Sequence, residues 1–432
     1  MKKLLLMVSI LMMFVLVACG GNDTDSAGET TEPNENELQE GDSVELRVFI
    51  PQPRFREQYE NYFNQFSEKY LEETGVEVTY QLEFPAADQA TQILQTRLAT
   101  SDSPDIFVVH AVNDIPVYNR AGYLEDLSDE PFVENLLDAT REAVTHNGEV
   151  VALPLETLSW GYLYNIDMFE ELGLELPETL SEMEEVIQVL EENDITPFIA
   201  SYNEGWIPQL FLPLITGALM ETENEDFMER MNNDEGSFAE LDGFFEVIDL
   251  VAAHTTSRGF EIDGDQGSAM FANGEAAMWV QGPWFAESIL SANESVNFGV
   301  APLPINENPE ATMINSSTTT SLAVSSLSEN KRVAKDLLNY ILDEDDSSQL
   351  FQDLMFNQVA HSHDFDPFPW LIEANEYIVD GRAYQDPAIP QAVKTESESA
   401  LQSYLAGSLD QDGVIQALDR AWQQANQVNS DD

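Results

Sequence analysis

One stretch, residues 44–109, constrains the architecture more than any other part of the chain, because strand-like and helix-like periodicities alternate within it. Val44, Leu46, Val48 and Ile50 recur every second residue, and Pro51-Gln52-Pro53 ends the run. Phe55, Tyr59, Tyr62, Phe66 and Tyr70 then recur every three or four residues, which predicts a helix with one apolar face, and Gly75 stands where a C-terminal cap belongs. Val76, Val78, Tyr80, Leu82 and Phe84 alternate as a second strand. A helix is expected over Asp88 to Ala99, and Asp105-Ile106-Phe107-Val108-Val109 reads as a short, fully buried strand. Strand, helix, strand, helix, strand predicts a parallel α/β sheet. Ligands of such sheets bind beyond the carboxyl ends of the strands, here the Pro51-Gln52-Pro53 turn and the loop from His110 to Asp114.

The second half mixes strands with longer helices. Thr179-Leu180-Ser181-Glu182 has the form of a capping box opening a helix through Leu190, with Pro177 just ahead of it. Leu241 to Ala253 and Ala334 to Leu342 are further amphipathic candidates. No tandem repeat of fixed period is visible, which argues against a solenoid or propeller.

Ahead of the first strand the composition changes. Met1-Lys2-Lys3 is a positive start, Leu4 to Val15 an apolar run too short to span a bilayer stably, and Leu16-Val17-Ala18-Cys19 a small-residue cleavage box. This resembles the signal peptide of bacterial lipoproteins, with residues 1–18 as the leader. The resemblance implies that Cys19 is diacylated, becomes the N-terminus and anchors the protein outside the cytoplasmic membrane. Cys19 is the only cysteine, so no internal disulfide can form. Gly20 to Asp42 holds almost nothing apolar and is expected, with Cys19, to form a flexible acidic tether over residues 19–42.

There are 80 acidic and 17 basic residues, a formal net charge of −63. Such a chain is a poor ligand for nucleic acid or for anionic lipid. Self-repulsion on this scale is tolerable where salt screens it, the Debye length falling to about 3 Å in molar salt, so a saline or alkaline habitat is expected. The acids are spread over the whole chain, which weighs against a dedicated cation-binding surface.

Four further places carry a second resemblance. They are Ser103-Pro104-Asp105-Ile106; Pro154 followed by Tyr164-Asn165 and Phe169; Pro177-Glu178-Thr179-Leu180; and Phe271-Ala272-Asn273-Gly274-Glu275-Ala276-Ala277-Met278 leading to Gly282-Pro283-Trp284. In this order, with Gly299 to Pro304 after them, they resemble the extracellular solute-binding proteins of carbohydrate ABC importers, the maltose-binding class of family 1. The resemblance implies an α/β, two-lobed periplasmic-binding-protein-like fold with the ligand in the interlobe cleft and chain crossings as hinges. Lobe one would be residues 44–155 plus 301–343, and lobe two residues 156–300 plus 344–430. It further implies a monomer that captures a carbohydrate, an oligosaccharide, and hands it to ABC permease subunits driven by a cytoplasmic ATPase. No cofactor, metal or covalent chemistry is called for.

Sugar binding needs flat aromatic faces against the apolar face of a pyranose and oriented polar groups for its hydroxyls. Trp284 aligns with a sugar-stacking tryptophan of the family and is the first candidate. Trp206 lies in the turn-rich stretch from Ser201, and Trp160 just beyond the first expected crossing; Trp279, within an Ala-Ala-Met run, reads as core. Glu156 follows the crossing, where the family often places a ligand-contacting acid. From lobe one, Gln52, His110, Asn113 and Asp114 are candidates at strand ends, and Asp265 is a further one. The chain departs from the maltose-binding pattern at Val112, where that pattern has an aspartate, so Asn113 or Asp114 would serve only with a small loop shift.

His361-Ser362-His363 with Asp364 lacks the helical spacing of zinc ligands, and Asp263-Gly264-Asp265 is too short for a calcium loop. No nucleophile elbow, phosphate loop or H-E-x-x-H is present. With 80 carboxylates, a pair suited to glycoside hydrolysis exists at any spacing. A surface-anchored glycosidase, or a binding protein for a non-sugar solute, therefore stands as the alternative.

Overall fold

A computed structural model of the chain describes residues 38–100, 102–342 and 347–431. The leader, Cys19 and the tether as far as residue 37 lie outside the described residues. The last part of the expected tether is docked rather than free: Leu38 packs against the first core, and the Gly41 N–H donates to the Gly75 carbonyl at 2.8 Å. A second backbone bond, the Glu77 N–H on the Asp42 carbonyl at 2.9 Å, ties its last residue to the start of the second strand.

The expected alternation is present. Strand β1 (Ser43–Phe49) is followed by helix α1 (Arg56–Thr74), strand β2 (Glu77–Glu83), helix α2 (Ala87–Ala99) and strand β3 (Ile106–Val109). Helix α1 ends where Gly75 adopts φ 73°, a left-handed cap that glycine takes without steric cost. Its buried face, Tyr59, Tyr62, Phe63, Phe66 and Tyr70, covers the sheet, in which β1 pairs in parallel with β2 on one side and β3 on the other. The sheet is mixed rather than purely parallel, because the long strand Ile314–Val324 joins β3 antiparallel through its last residues, Ser321 to Val324.

That long strand and Leu153–Trp160 are two of the crossings. They pair antiparallel from Asn315↔Trp160 to Leu322↔Leu153, with a bulge in the Thr318–Ser321 region. Beyond its pairing with β3 the long strand also holds Ala383–Tyr384, in parallel, at Ile314 and Asn315. A separate antiparallel sheet, Met278–Trp279, Tyr162–Asn165 and Phe298–Ala301, belongs to the second body.

Burial divides the chain more sharply than sequence did. Residues from Val44 to Leu155 and from Leu322 to Ala360 share one core; those from Trp160 to Ile305 and from Tyr384 to Trp422 share another, with a satellite cluster around Phe271, Trp279 and Trp370. Ala301, Leu303 and Ile305, expected in lobe one, pack in the second core, while Leu350 to Ala360, expected in lobe two, pack in the first. The prolines near 302 bend the chain within one body, and the passage itself is made in the long strand. The third passage, residues 361–370, carries a row of rings: His363 4.2 Å from Phe351 and 5.8 Å from Phe365, then Phe368, then Trp370 stacked on Phe298 at 5.4 Å.

The helix expected at Thr179 runs Leu180–Glu192. The Thr179 hydroxyl accepts from the Glu182 N–H, but the Glu182 carboxylate accepts from Glu178 rather than from Thr179. The other two amphipathic candidates form as Phe244–Ala253 and Lys331–Ile341. Among the described residues no helix is long and apolar enough to cross a membrane.

Candidate functional site

The crossing strands form a floor between the two bodies. Residues directly opposite each other in an antiparallel pair project to the same face, so Trp160, Leu158 and Glu156 share a face with Asn315, Ser317 and Thr320. Glu156 is buried there, its Oε2 accepting the Thr320 hydroxyl at 2.8 Å and the Thr319 hydroxyl at 3.3 Å. Thr319 reaches the same carboxylate because the bulge turns it toward the face its place in the strand would deny it. The Gln52 amide, from the turn after β1, donates to Thr320 Oγ1 at 3.2 Å, and Tyr59 on α1 donates to Gln52 Oε1 at 2.9 Å. Burial pushes the Glu156 carboxyl above its ordinary range, against the opposing pull of the nearby Arg54 charge and the two threonine bonds.

Trp284 shares a cavity with this acid and brings two further tryptophans into a cluster. Trp284 lies edge-to-face with Trp160 at 5.5 Å between ring centroids and 6.5 Å from Trp206, which is itself stacked on Phe285 at 6.1 Å. Trp160 is buried, 4 % exposed, whereas Trp206 and Trp284 are half-buried. Gly282 permits the approach, since a Cβ there would meet the Trp284 ring at 2.2 Å. The Trp284 indole N–H is buried without an acceptor among the described residues. A small cavity between the bodies is lined by Arg54 and Phe55 from the first, Glu156 and Leu158 from the floor, and Trp284 and Glu287 from the second.

At the other edge of the floor, beside Ala383–Tyr384, the loop after β3 meets the second body. His110 Nε2 lies 3.2 Å from Asp386 Oδ2, and the Lys394 ammonium donates to Asn113 Oδ1 at 2.9 Å. Asp386 is held from behind by the Asn315 amide at 2.7 Å and by the Ser317 hydroxyl, which accepts the Asp386 backbone N–H at 2.6 Å. Asp114 turns inward to cap its own loop, accepting the His110 backbone N–H at 2.9 Å, and burial raises its carboxyl. Burial alone would raise Asp386 as well, but the His110 bond and the Lys394 charge leave it below the ordinary carboxylate range. Lys394 is lowered by burial, against the pull of Asp386 and Asp114.

The structure thus gathers Gln52, Glu156, Trp160, Trp206 and Trp284 on one side and His110, Asn113 and Asp114 on the other. Asp265 joins neither group: it is exposed in the first turn of helix Gly264–Ala272 and does not line the cavity. Trp279 is core, 1 % exposed, its indole N–H donating to Ser201 Oγ at 3.1 Å. Asn315, Thr319, Thr320, Asp386 and Lys394 were not singled out from sequence. The run Asn315-Ser316-Ser317-Thr318-Thr319-Thr320-Ser321 offered a signal, since a buried strand made of hydroxyls has no packing reason to be polar. Among the described residues no group of three or more potential metal ligands is present.

Comparison with known proteins follows the same geometry. A maltotriose-binding protein of Pyrococcus abyssi is 30% identical over 217 residues, 49% of this chain and 44% of that protein. A galactooligosaccharide-binding protein of Bacillus subtilis is 25% identical over 314 residues, 69% of this chain and 71% of that one. With a multiple sugar-binding protein of Streptococcus mutans matched over 53% of its length, the chain spans about half the length of the first curated relatives it matches. Among solved structures, the solute-binding protein RafE in complex with raffinose superposes with a TM-score of 0.75 at 18% identity, covering 89% of this chain and all of the other. A Bacillus subtilis binding protein in an open conformation reaches 0.78 at 17% identity, covering 90% and 99%. The sequence model described as bacterial extracellular solute-binding protein matches residues 54–347, more than half of the chain, and the chain belongs to that family.

Proposed function

We propose that this protein is the solute-capturing lipoprotein of an ABC importer for carbohydrates, and that it takes an oligosaccharide between its lobes. The observation that carries the reading is the cluster of Trp160, Trp206 and Trp284, in which Trp284 lines, with buried Glu156, a cavity bounded by both bodies. Half-buried indoles offer faces to a pyranose, and the unpartnered Trp284 N–H and the acid offer a donor and an acceptor to its hydroxyls. The names of the matched relatives, which bind maltotriose, galactooligosaccharides and multiple sugars, point the same way. Those relatives are binding proteins, and this chain is one rather than an enzyme, so the hydrolase alternative lapses.

Trp284, Trp206 and Trp160 would pack against sugar rings, with Gln52 and Glu156 addressing hydroxyls from the floor. His110 and Asn113 already meet the second body at the far edge, and with Asp114 they would bound the cleft there. Delivery would be to permease subunits coupled to a cytoplasmic ATPase, by a monomer tied to the membrane through acylated Cys19. The net charge of −63 suits a screened, saline exterior and disfavours anionic solutes.

A thermal-shift screen in high salt against mono- and oligosaccharides, amino acids, polyamines and metal ions tests the reading. Binding to the folded state alone stabilises by about 2.7 kcal/mol at a hundredfold excess over Kd. A shift from one family of sugars, with the sugar recovered unchanged, is expected. A shift confined to amino acids or polyamines would overturn the carbohydrate assignment.

A further inference from the structure

The polar contacts between His110 and Asp386 and between Asn113 and Lys394 join side chains that belong to different cores. His110 and Asn113 follow β3, whose residues pack in the first core; Asp386 and Lys394 flank Ile389 and Val393 of the second. None of the four lines the cavity at Trp284. His110 bonds Asp386 and Lys394 bonds Asn113, while Asp386 is also held by Asn315 and Ser317.

The contacts are built rather than incidental. The backbone N–H of Val112 donates to His110 Nδ1 at 3.3 Å, which leaves the proton on Nε2, the nitrogen that faces Asp386. Asp386 is oriented by Asn315 and Ser317 of the long strand, and the His110 loop is tied to the same strand by the Ala111 N–H on the Thr318 carbonyl. The Asp386 side chain is 11% exposed and that of His110 20%, so salt screens the pair far less than it screens the surface. In this arrangement the cavity at Trp284 holds about 20 Å³, enough for a water-sized sphere and far too little for a sugar ring, so uptake there requires the bodies to part.

We propose that the His110–Asp386 and Asn113–Lys394 pairs form an interlobe latch, a set of protein groups that favours closure without help from the solute. The inference rests on the two-lobed solute-binding reading but not on the solute being a sugar. Because the latch sits at the edge of the floor away from Trp284, a solute and the latch can be held together. Breaking the latch shifts the solute-free population toward the open form, in proportion to the free energy it supplies to the closed one.

Double electron–electron resonance on the full chain tests this with no solute present. Spin labels go on Val117→Cys and Ser399→Cys, exposed positions on either side of the latch, in a Cys19→Ser background. The unsubstituted latch is expected to give a dominant short distance. His110→Ala and Asn113→Ala together are expected to reduce that population by about fivefold or more in favour of a longer distance. Asn113→Ala alone changes no charge and keeps the test available if the double variant does not fold. An unchanged distance distribution in folded variants would overturn the latch. A redistribution in a protein that binds no sugar in the thermal screen would uphold the latch while removing the carbohydrate reading.

Discussion

The Thr320 hydroxyl lies 2.8 Å from Oε2 of Glu156, a donor on the long strand facing a buried acid on the strand paired with it. Both residues sit where the chain passes between bodies, so the acid is attached to the pivot and not to either wall. Hydrogen bonds to a charged group contribute about 1.5–3 kcal/mol. Glu156→Gln removes the charge while preserving shape, and relieves the burial cost that raises its carboxyl. The expected outcome is a melting temperature equal to or above that of the parent, with solute affinity lowered about tenfold to a hundredfold in titration calorimetry. Unchanged affinity would assign the acid to the fold alone.

Two tryptophans with different neighbours separate binding from stability. Trp279 is enclosed and bonded to Ser201, and Trp279→Ala should cost about 3–5 kcal/mol in denaturant unfolding, the loss typical of a core aromatic. Trp284 is half-buried at the cavity, and Trp284→Ala should weaken solute binding by about one to two orders of magnitude with a smaller loss of stability. Equal affinity in Trp284→Ala and the parent would take Trp284 out of the site.

His363 supplies an acid limb to stability. It is buried against Phe351 and Phe365, its Nδ1 accepts the Val359 N–H, and burial lowers its pKa from 6.5 to about 4. Because the folded value lies below the unfolded one, the unfolded chain binds the extra proton first as pH falls. The stabilising contribution is therefore complete above about pH 6.5 and is lost progressively toward pH 4, at up to about 1.4 kcal/mol per unit, less with partial solvent screening. In urea titrations from pH 7 to pH 4.5, His363→Leu should lose less stability than the parent. Parallel curves would show that His363 does not titrate in this window.

Anchoring is tested at Cys19. Cys19→Ser should move the protein from the membrane fraction to the soluble one and abolish incorporation of labelled palmitate, with the melting temperature unchanged. Retention on the membrane would require another anchor.

The first sheet was legible because strands and helices announce themselves by different periods, and β1 to β3 lie within two residues of their expected limits. Strand ends and motif spacing pointed to Gln52, Glu156 and the tryptophans, and the fold sets Gln52 against the Glu156–Thr320 pair and Trp160 against Trp284. What escaped was set by pairing over long separations. No local pattern joins Thr320 to Glu156 or Asp386 to His110, and the apolar runs near Ala301 and Leu350 do not declare which core receives them. Asp265 lies apart from the cavity for a related reason: helix Gly264–Ala272 is capped by Asp263 with Gln266, and Asp265 in its first turn is exposed.

The long strand Ile314–Val324 is hydrogen-bonded at one end to Ala383–Tyr384 and at the other to β3, and pairs with Leu153–Trp160 between. A single backbone ladder therefore runs through both halves, and neither half retains all of its sheet once the other melts. Calorimetry should record one endotherm, with the calorimetric and van't Hoff enthalpies in agreement. Neither half, expressed alone, should fold without leaving raw strand edges exposed to self-association.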